Sequence, residues 1–211
     1  DYLSSNKRVT LFAGRQMGGN YFGFSLNAVQ ASFKDESAAN IYGKHGVSEY
    51  DLALGLTDKN GKWDIAAGYN MFSFSNMYDA THYVWKPKGN SSMWVMGRLF
   101  KQVNPQWTIV PNAGIILGKY EAEHYTEATV QVVDYTQKYS TFTFWGGLGA
   151  HYTPSANVLA VGEFGIAVNT FKSTYTDNVA AAPNYSYEYK YTYFTLPSTP
   201  IFKYGNVKYV Y

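Results

Sequence analysis

Apolar and polar residues alternate along most of this chain with a period of two, the spacing of strands whose successive side chains point to opposite faces. The alternation predicts about ten strands, near 7–15, 20–34, 47–58, 62–75, 91–103, 106–120, 139–153, 157–172, 186–196 and 200–211. It is clearest on either side of Lys59-Asn60-Gly61-Lys62. Asn-Gly tolerates the positive φ of a tight hairpin, so it predicts a type I′ turn pairing Lys59 with Lys62. The register then follows. Leu56 meets Ile65, Leu54 meets Ala67 and Leu52 meets Tyr69 on one face. Thr57 meets Asp64, Gly55 meets Ala66, Ala53 meets Gly68 and Asp51 meets Asn70 on the other. A slip of one residue would mix the two faces.

The second face decides what the first is for. In a soluble sheet it would face water and carry long charged side chains. Here it is mostly Gly, Ala, Thr and Asn, which suits the crowded, hydrated interior of a narrow barrel. The fold expected is therefore all-β: a transmembrane antiparallel up-and-down barrel, one domain over residues 1–211. Connection lengths point the same way. Tight turns are expected at 16–19, 59–62, 104–106, 153–157 and 197–200, and long polar loops near 35–46, 76–90, 121–138 and 173–185. Short periplasmic turns opposite long extracellular loops are the habit of outer-membrane barrels. Trp63 and Trp107 follow tight turns and Tyr152 precedes one, the belt positions where an amphipathic ring spans headgroup and hydrocarbon. The ninth strand is read with Tyr187, Tyr189, Tyr191 and Tyr193 toward lipid, opposite Glu188 and Lys190.

If the tight turns are periplasmic, the first strand starts outside and the tenth ends outside. Single-chain barrels usually keep both termini periplasmic. The expectation is a parent of about twelve strands that extends past both ends of this sequence. The hairpin Thr143-Phe144-Trp145-Gly146-Gly147-Leu148-Gly149-Ala150-His151-Tyr152, a turn, then Val158 to Ala167 resembles those of small OmpA- or OmpW-like barrels. The resemblance is one of pattern and implies a bacterial outer-membrane location, with the lipid bilayer and lipopolysaccharide as surroundings.

Composition narrows the chemistry. Aromatic residues reach 18%, with 21 Tyr, yet the mean hydropathy is slightly negative, as expected when only every second residue is apolar. No run approaches the roughly 18 apolar residues of a membrane helix. A net charge of +2 with scattered Lys and Arg argues against a nucleic-acid partner. Without cysteine there is no disulfide or thiolate metal site. His45, His82 and His124 fall in predicted loops and His151 near a strand end, and no Ser sits beside His at strand spacing. Asp79 with His82, and Glu121 and Glu123 with His124, have the residue types of a rim hydrolase or metal site, but ordinary solvated loop residues explain them better. No enzyme activity, cofactor or metal is expected. The polar candidates for the lumen are Asp51, Asp64, Asn70, Asn112, Glu163, Glu188 and Lys190. Arg98 shares its parity with Trp94 and Met96, which leaves its facing open. A passive channel or envelope anchor is the first expectation. A scaffold showing its loops to another envelope protein is the second. A soluble β-sandwich or calycin-like binder, with the apolar faces packed inward, is the third.

Overall fold

The computed structural model describes residues 2–35, 44–74, 77–78, 83–126, 135–178, 184–195, 201–204 and 207–210. All of its strands belong to a single antiparallel sheet. In chain order they are β1 (Tyr2–Met17), β2 (Asn20–Asp35), β3 (Lys44–Asp58), β4 (Trp63–Phe74), β5 (Met77–Tyr78), β6 (Tyr83–Leu99), β7 (Lys101–Asn104), β8 (Trp107–Thr126), β9 (Tyr135–Ser155), β10 (Val158–Asp177), β11 (Tyr185–Thr195), β12 (Ile201–Tyr204) and β13 (Val207–Val210). The continuous path is β1-β2-β3-β4-β6-β8-β9-β10-β12-β13, so each pass pairs with its neighbour in sequence. The sheet is open: among the described residues β1 pairs with β2 alone.

The register read at Asn60-Gly61 holds, with Leu56 opposite Ile65, Leu54 opposite Ala67 and Asp51 opposite Asn70. The turn itself differs. It is a longer connection, closed by the Gly61 amide donating to the Asp58 carbonyl at 2.9 Å. The Asp58 carboxylate also accepts from the amides of Asn60 and Lys62, each at 3.1 Å. Gly61 takes the positive φ of 69°. Lys59 and Lys62 thus belong to the turn rather than to the ladder. Neighbouring turns are tied in series: the Lys59 amide donates to Gly19, the Phe100 amide to Lys62 and the Thr153 amide to Gln106.

The last predicted strand is a correction. β11 and β12 run end to end along the same edge of β10, Thr195 opposite Gly165 and Ile201 opposite Val161. β11 and β12 therefore run in the same direction, and the turn expected at 197–200 falls outside the described residues. The chain reverses between Tyr204 and Val207, which pair directly. The predicted tenth strand divides accordingly into β12 and β13.

The predicted long loops shrink for a related reason. β8 continues to Thr126, β9 resumes at Tyr135, β10 runs to Asp177 and β6 begins at Tyr83. Polar composition there reflects solvent, not an end to strand pairing.

No second layer covers the sheet among the described residues. Only Val110, Ala122 and Ala167 form a buried apolar set, while Leu52, Leu54, Leu56, Val95, Leu117, Phe144, Leu148 and Ile166 stay exposed. The inward-packed sandwich or calycin would need those positions covered.

Candidate functional site

Following the register across the sheet separates two faces. One carries Leu26, Leu54, Ala67, Val95, Ile115, Phe144 and Val168. Trp63, Trp107 and Tyr152 lie on this apolar face at its tight-turn end. The Trp107 and Tyr152 rings stand 4.5 Å apart across β8 and β9, tilted by 31°.

The opposite face carries the candidate site, which is a chain of polar side chains running from strand to strand. Arg8 Nε and Thr10 Oγ1 both donate to Asn27 Oδ1 at 2.9 Å. Asn27 Nδ2 passes on to Asp51 Oδ2 at 3.0 Å. The Asn70 amide group donates to Asp51 and, at 2.7 Å, to Glu49. Two carboxylates on adjacent turns of the pleat are thus held together by one carboxamide, which supplies both protons. This works because a carboxamide presents two N–H donors to acceptor-only partners.

Nearer the tight turns, Arg98 pairs with Asp64 in a two-pronged contact, Nη2 to Oδ2 at 2.6 Å and Nε to Oδ1 at 2.9 Å. This settles the facing of Arg98: it shares the polar face with Asp64, Trp94 and Met96. Its guanidinium lies 5.5 Å from the Phe100 ring, and that ring meets His151 edge-on at 6.1 Å. Asn112 lies opposite Arg98 and Gly147, and Glu163 opposite Gly149, all on this face. Partial exposure and two prongs make the Asp64–Arg98 pair a better anchor than an ordinary surface ion pair.

Between these groups two tryptophans occupy the space over glycines of the next strand. A Cβ at Gly114 would stand 2.8 Å from Trp145 Cε2 and nearer still to two further ring atoms. At Gly68 a Cβ would meet the Trp94 indole at 2.5 Å from Nε1. The glycines read as small lumen residues are thus seats for aromatic rings. Pairing Trp145 with Gly114 across β8 and β9 is visible in the sequence only once the register is known.

Glu188 and Lys190 are a correction. They lie opposite Lys172 and Thr170, in line with Val168 and Ile166, and so belong to the apolar face rather than to that of Asp51 and Glu163. Tyr187, Tyr189, Tyr191 and Tyr193 take the register positions of the polar face, opposite Ser173, Phe171, Asn169 and Ala167. The ninth strand alternates cleanly, so its pattern alone could not say which set points which way; the cross-strand partner on β10 does. Glu188 and Lys190 pair with each other at 3.4 Å.

The rim candidates are not brought together. Glu121 pairs with Lys138 at 3.3 Å and Glu123 with Lys88 at 2.8 Å on one face. His124 has the opposite parity and stacks on Tyr135, with centroids 4.1 Å apart. Burial there pushes the His124 imidazole below its usual pKa. Asp79 and His82 lie outside the described residues. Among the described residues no group of three or more His, Asp or Glu could hold a metal ion.

No family model matches the chain, and no curated protein sequence matches it. Its fold is similar to that of the ferric yersiniabactin uptake receptor FyuA from Yersinia pestis, with a TM-score of 0.53 and 6% identity. The likeness covers 95% of this chain and 34% of the receptor, so the chain spans about a third of the length of the structure that it matches. At that identity the likeness concerns the fold alone, an antiparallel up-and-down sheet of the barrel kind. The OmpA- or OmpW-like resemblance draws no support from it.

Proposed function

We propose that this chain forms part of the wall of a bacterial outer-membrane β-barrel, acting as a small passive channel or a structural element of the envelope, without catalysis. The observation that carries the reading is the apolar face. Exposing one Leu or Phe to water rather than burying it costs about 1.5–3 kcal/mol. A face of such residues with no covering layer is a surface made for lipid.

The dimensions agree. On β8 the apolar stripe runs from Trp107 to Leu117 and then gives way to Lys119, Glu121 and Glu123. Ten steps of about 3.4 Å at a 45° tilt rise about 24 Å, close to the apolar band of about 25 Å in such barrels. On the other side, Asn27, Asp51, Asn70, Asp64 and Arg98 supply a hydrogen-bonded polar lining, with Glu163 on the same face. A bare strand edge is untenable in lipid, so in the membrane the sheet closes on itself or on further strands.

The test is direct. The folded protein should require detergent and show heat-modifiable gel mobility, and in planar bilayers an open lumen should give conductance steps. A folded chain that stays monodisperse without detergent would overturn the reading. Detergent dependence without conductance would favour the structural wall over the channel.

A second reading has its own support. β8, β9 and β10 run 20, 21 and 20 residues, about twice what a crossing needs. The surplus lies on the side away from the tight turns and carries linked ring pairs, Tyr120 with Tyr139 and Tyr139 with Phe171. Such a raised wall suits a scaffold that shows its far end to another envelope component.

A further inference from the structure

The same surplus length carries a feature on the outer face. Just past the apolar stripe, the register aligns Ser91, Lys119, Ser140 and Lys172 in one rung across β6, β8, β9 and β10. The next rung aligns Lys88, Glu121, Lys138 and Thr174. A recess of about 690 Å³ lies among these side chains. Within it Lys88 and Lys138 are matched by Glu123 and Glu121, while Lys119 and Lys172 carry no ion pair among the described residues. Glu188 stands opposite Lys172 at the edge of the recess but is engaged by Lys190, so across this patch the five lysines outnumber the three carboxylates by two.

A second recess, of about 360 Å³, adjoins it and shares Lys119 and Gly89. Tyr50, Tyr69 and Met71 line it on the apolar face. The two meet at a bulge in β6, where the ladder shifts between Lys88 and Ser91. Gly89 takes a φ of +56° there, and the buried Asn90 fixes the bulge by accepting the Glu121 amide at 3.2 Å. The bulge spreads the ladder and leaves the notch that joins the charged recess to the apolar one.

We propose that these joined recesses bind a phosphorylated glycolipid of the outer leaflet, the chemistry of lipopolysaccharide: phosphate between Lys119 and Lys172, acyl chain along Tyr50, Tyr69 and Met71. The proposal rests on the membrane reading above and adds the site. Two features select this occupant. Unpaired lysines match a phosphate, and they stand one rung above an apolar stripe, where a lipid headgroup lies. A soluble anion would have no use for the aromatic groove.

The test uses the full chain in detergent, titrated with diphosphorylated lipid A, with its dephosphorylated form and with phosphatidylcholine. Binding should be tightest for the diphosphorylated lipid. Each of Lys119→Gln and Lys172→Gln should weaken it about fivefold and the double variant about thirtyfold. Lys59→Gln, at the opposite end of the sheet, should leave it unchanged. Equal binding of phosphorylated and dephosphorylated lipid, or unchanged affinity in the variants, would overturn the site. Heat-modifiable mobility in those same variants shows that the membrane reading survives such a failure. A wild-type chain that needs no detergent would sink both. If the double variant does not fold, the single variants carry the comparison.

Discussion

The seat of Trp145 on Gly114 makes the sharpest test of the packing on the polar face. In an exposed strand Gly→Ala stabilises, by about 0.5–1 kcal/mol, because Ala loses less freedom on folding. At Gly114 the new Cβ would enter the indole, with Cε2 at 2.8 Å and two other ring atoms closer. The ring must swing away, yet Ala167 opposite it on β10 is 2% exposed and leaves little room. Overpacking of this kind costs about 1–3 kcal/mol, which outweighs the entropic gain. Gly114→Ala should therefore destabilise by about 1–2 kcal/mol in net. Gly23→Ala, on the same face with nothing within 4 Å of its Cβ, should be neutral or stabilising. Unfolding by urea in lipid vesicles, followed by tryptophan fluorescence and gel mobility, measures both. Pairing Gly114→Ala with Trp145→Val should recover most of the loss, as a coupling energy in a double-mutant cycle. A Gly114→Ala chain as stable as Gly23→Ala would refute the argument.

Three further outcomes follow from the same geometry. Leu54, 45% exposed on the apolar face, should tolerate Arg in a soluble protein but lose about 2–4 kcal/mol as Leu54→Arg at the bilayer midplane, measured by vesicle unfolding. Asn70→Asp would set a third carboxylate between Glu49 and Asp51 in place of the donor that joins them, and should cost about 1–3 kcal/mol at neutral pH, with Asn70→Gln milder. For His124, burial favours the neutral imidazole in the folded state, so the folded pKa lies below the unfolded one. Stability from this group is present above about pH 6.5 and is lost as pH falls toward the folded value. Amide exchange at the far ends of β8 and β9, corrected for intrinsic rates, should quicken on going from pH 7.5 to 5. The change should vanish in His124→Phe.

Alternation and one turn signal made the central hairpin legible: Leu56 with Ile65 and Asp51 with Asn70 needed only the position of Asn60-Gly61. Two kinds of information were missing elsewhere. Facing is absolute only when a strand is tied to its neighbours, so Glu188 and Lys190, in a strand that alternates perfectly, were placed on the wrong side. Strand ends were also hidden, because residues such as Lys119, Glu121 and Lys138 look like loop to a composition-based reading while their backbones still pair. Of the polar network, Asp51, Asn70, Asp64 and Glu163 were visible as polar breaks in the pattern. Arg8, Thr10, Asn27 and Glu49 were not, although the register sums that pair β2 with β3 would have brought Asn27 to Asp51.

Because every pass bonds to its chain neighbour, no strand register among the described residues joins partners further apart than Val158 and Tyr204. The loop-closure cost of each step is then set by one hairpin and not by the length of the whole protein. The sheet can grow by repeated addition, each new hairpin docking on the edge left by the last. It also makes size a modular quantity. Inserting or deleting two passes between tight turns would leave the inside and outside of every later residue unchanged, so a lineage built on this plan could widen or narrow its ring without redesigning its walls.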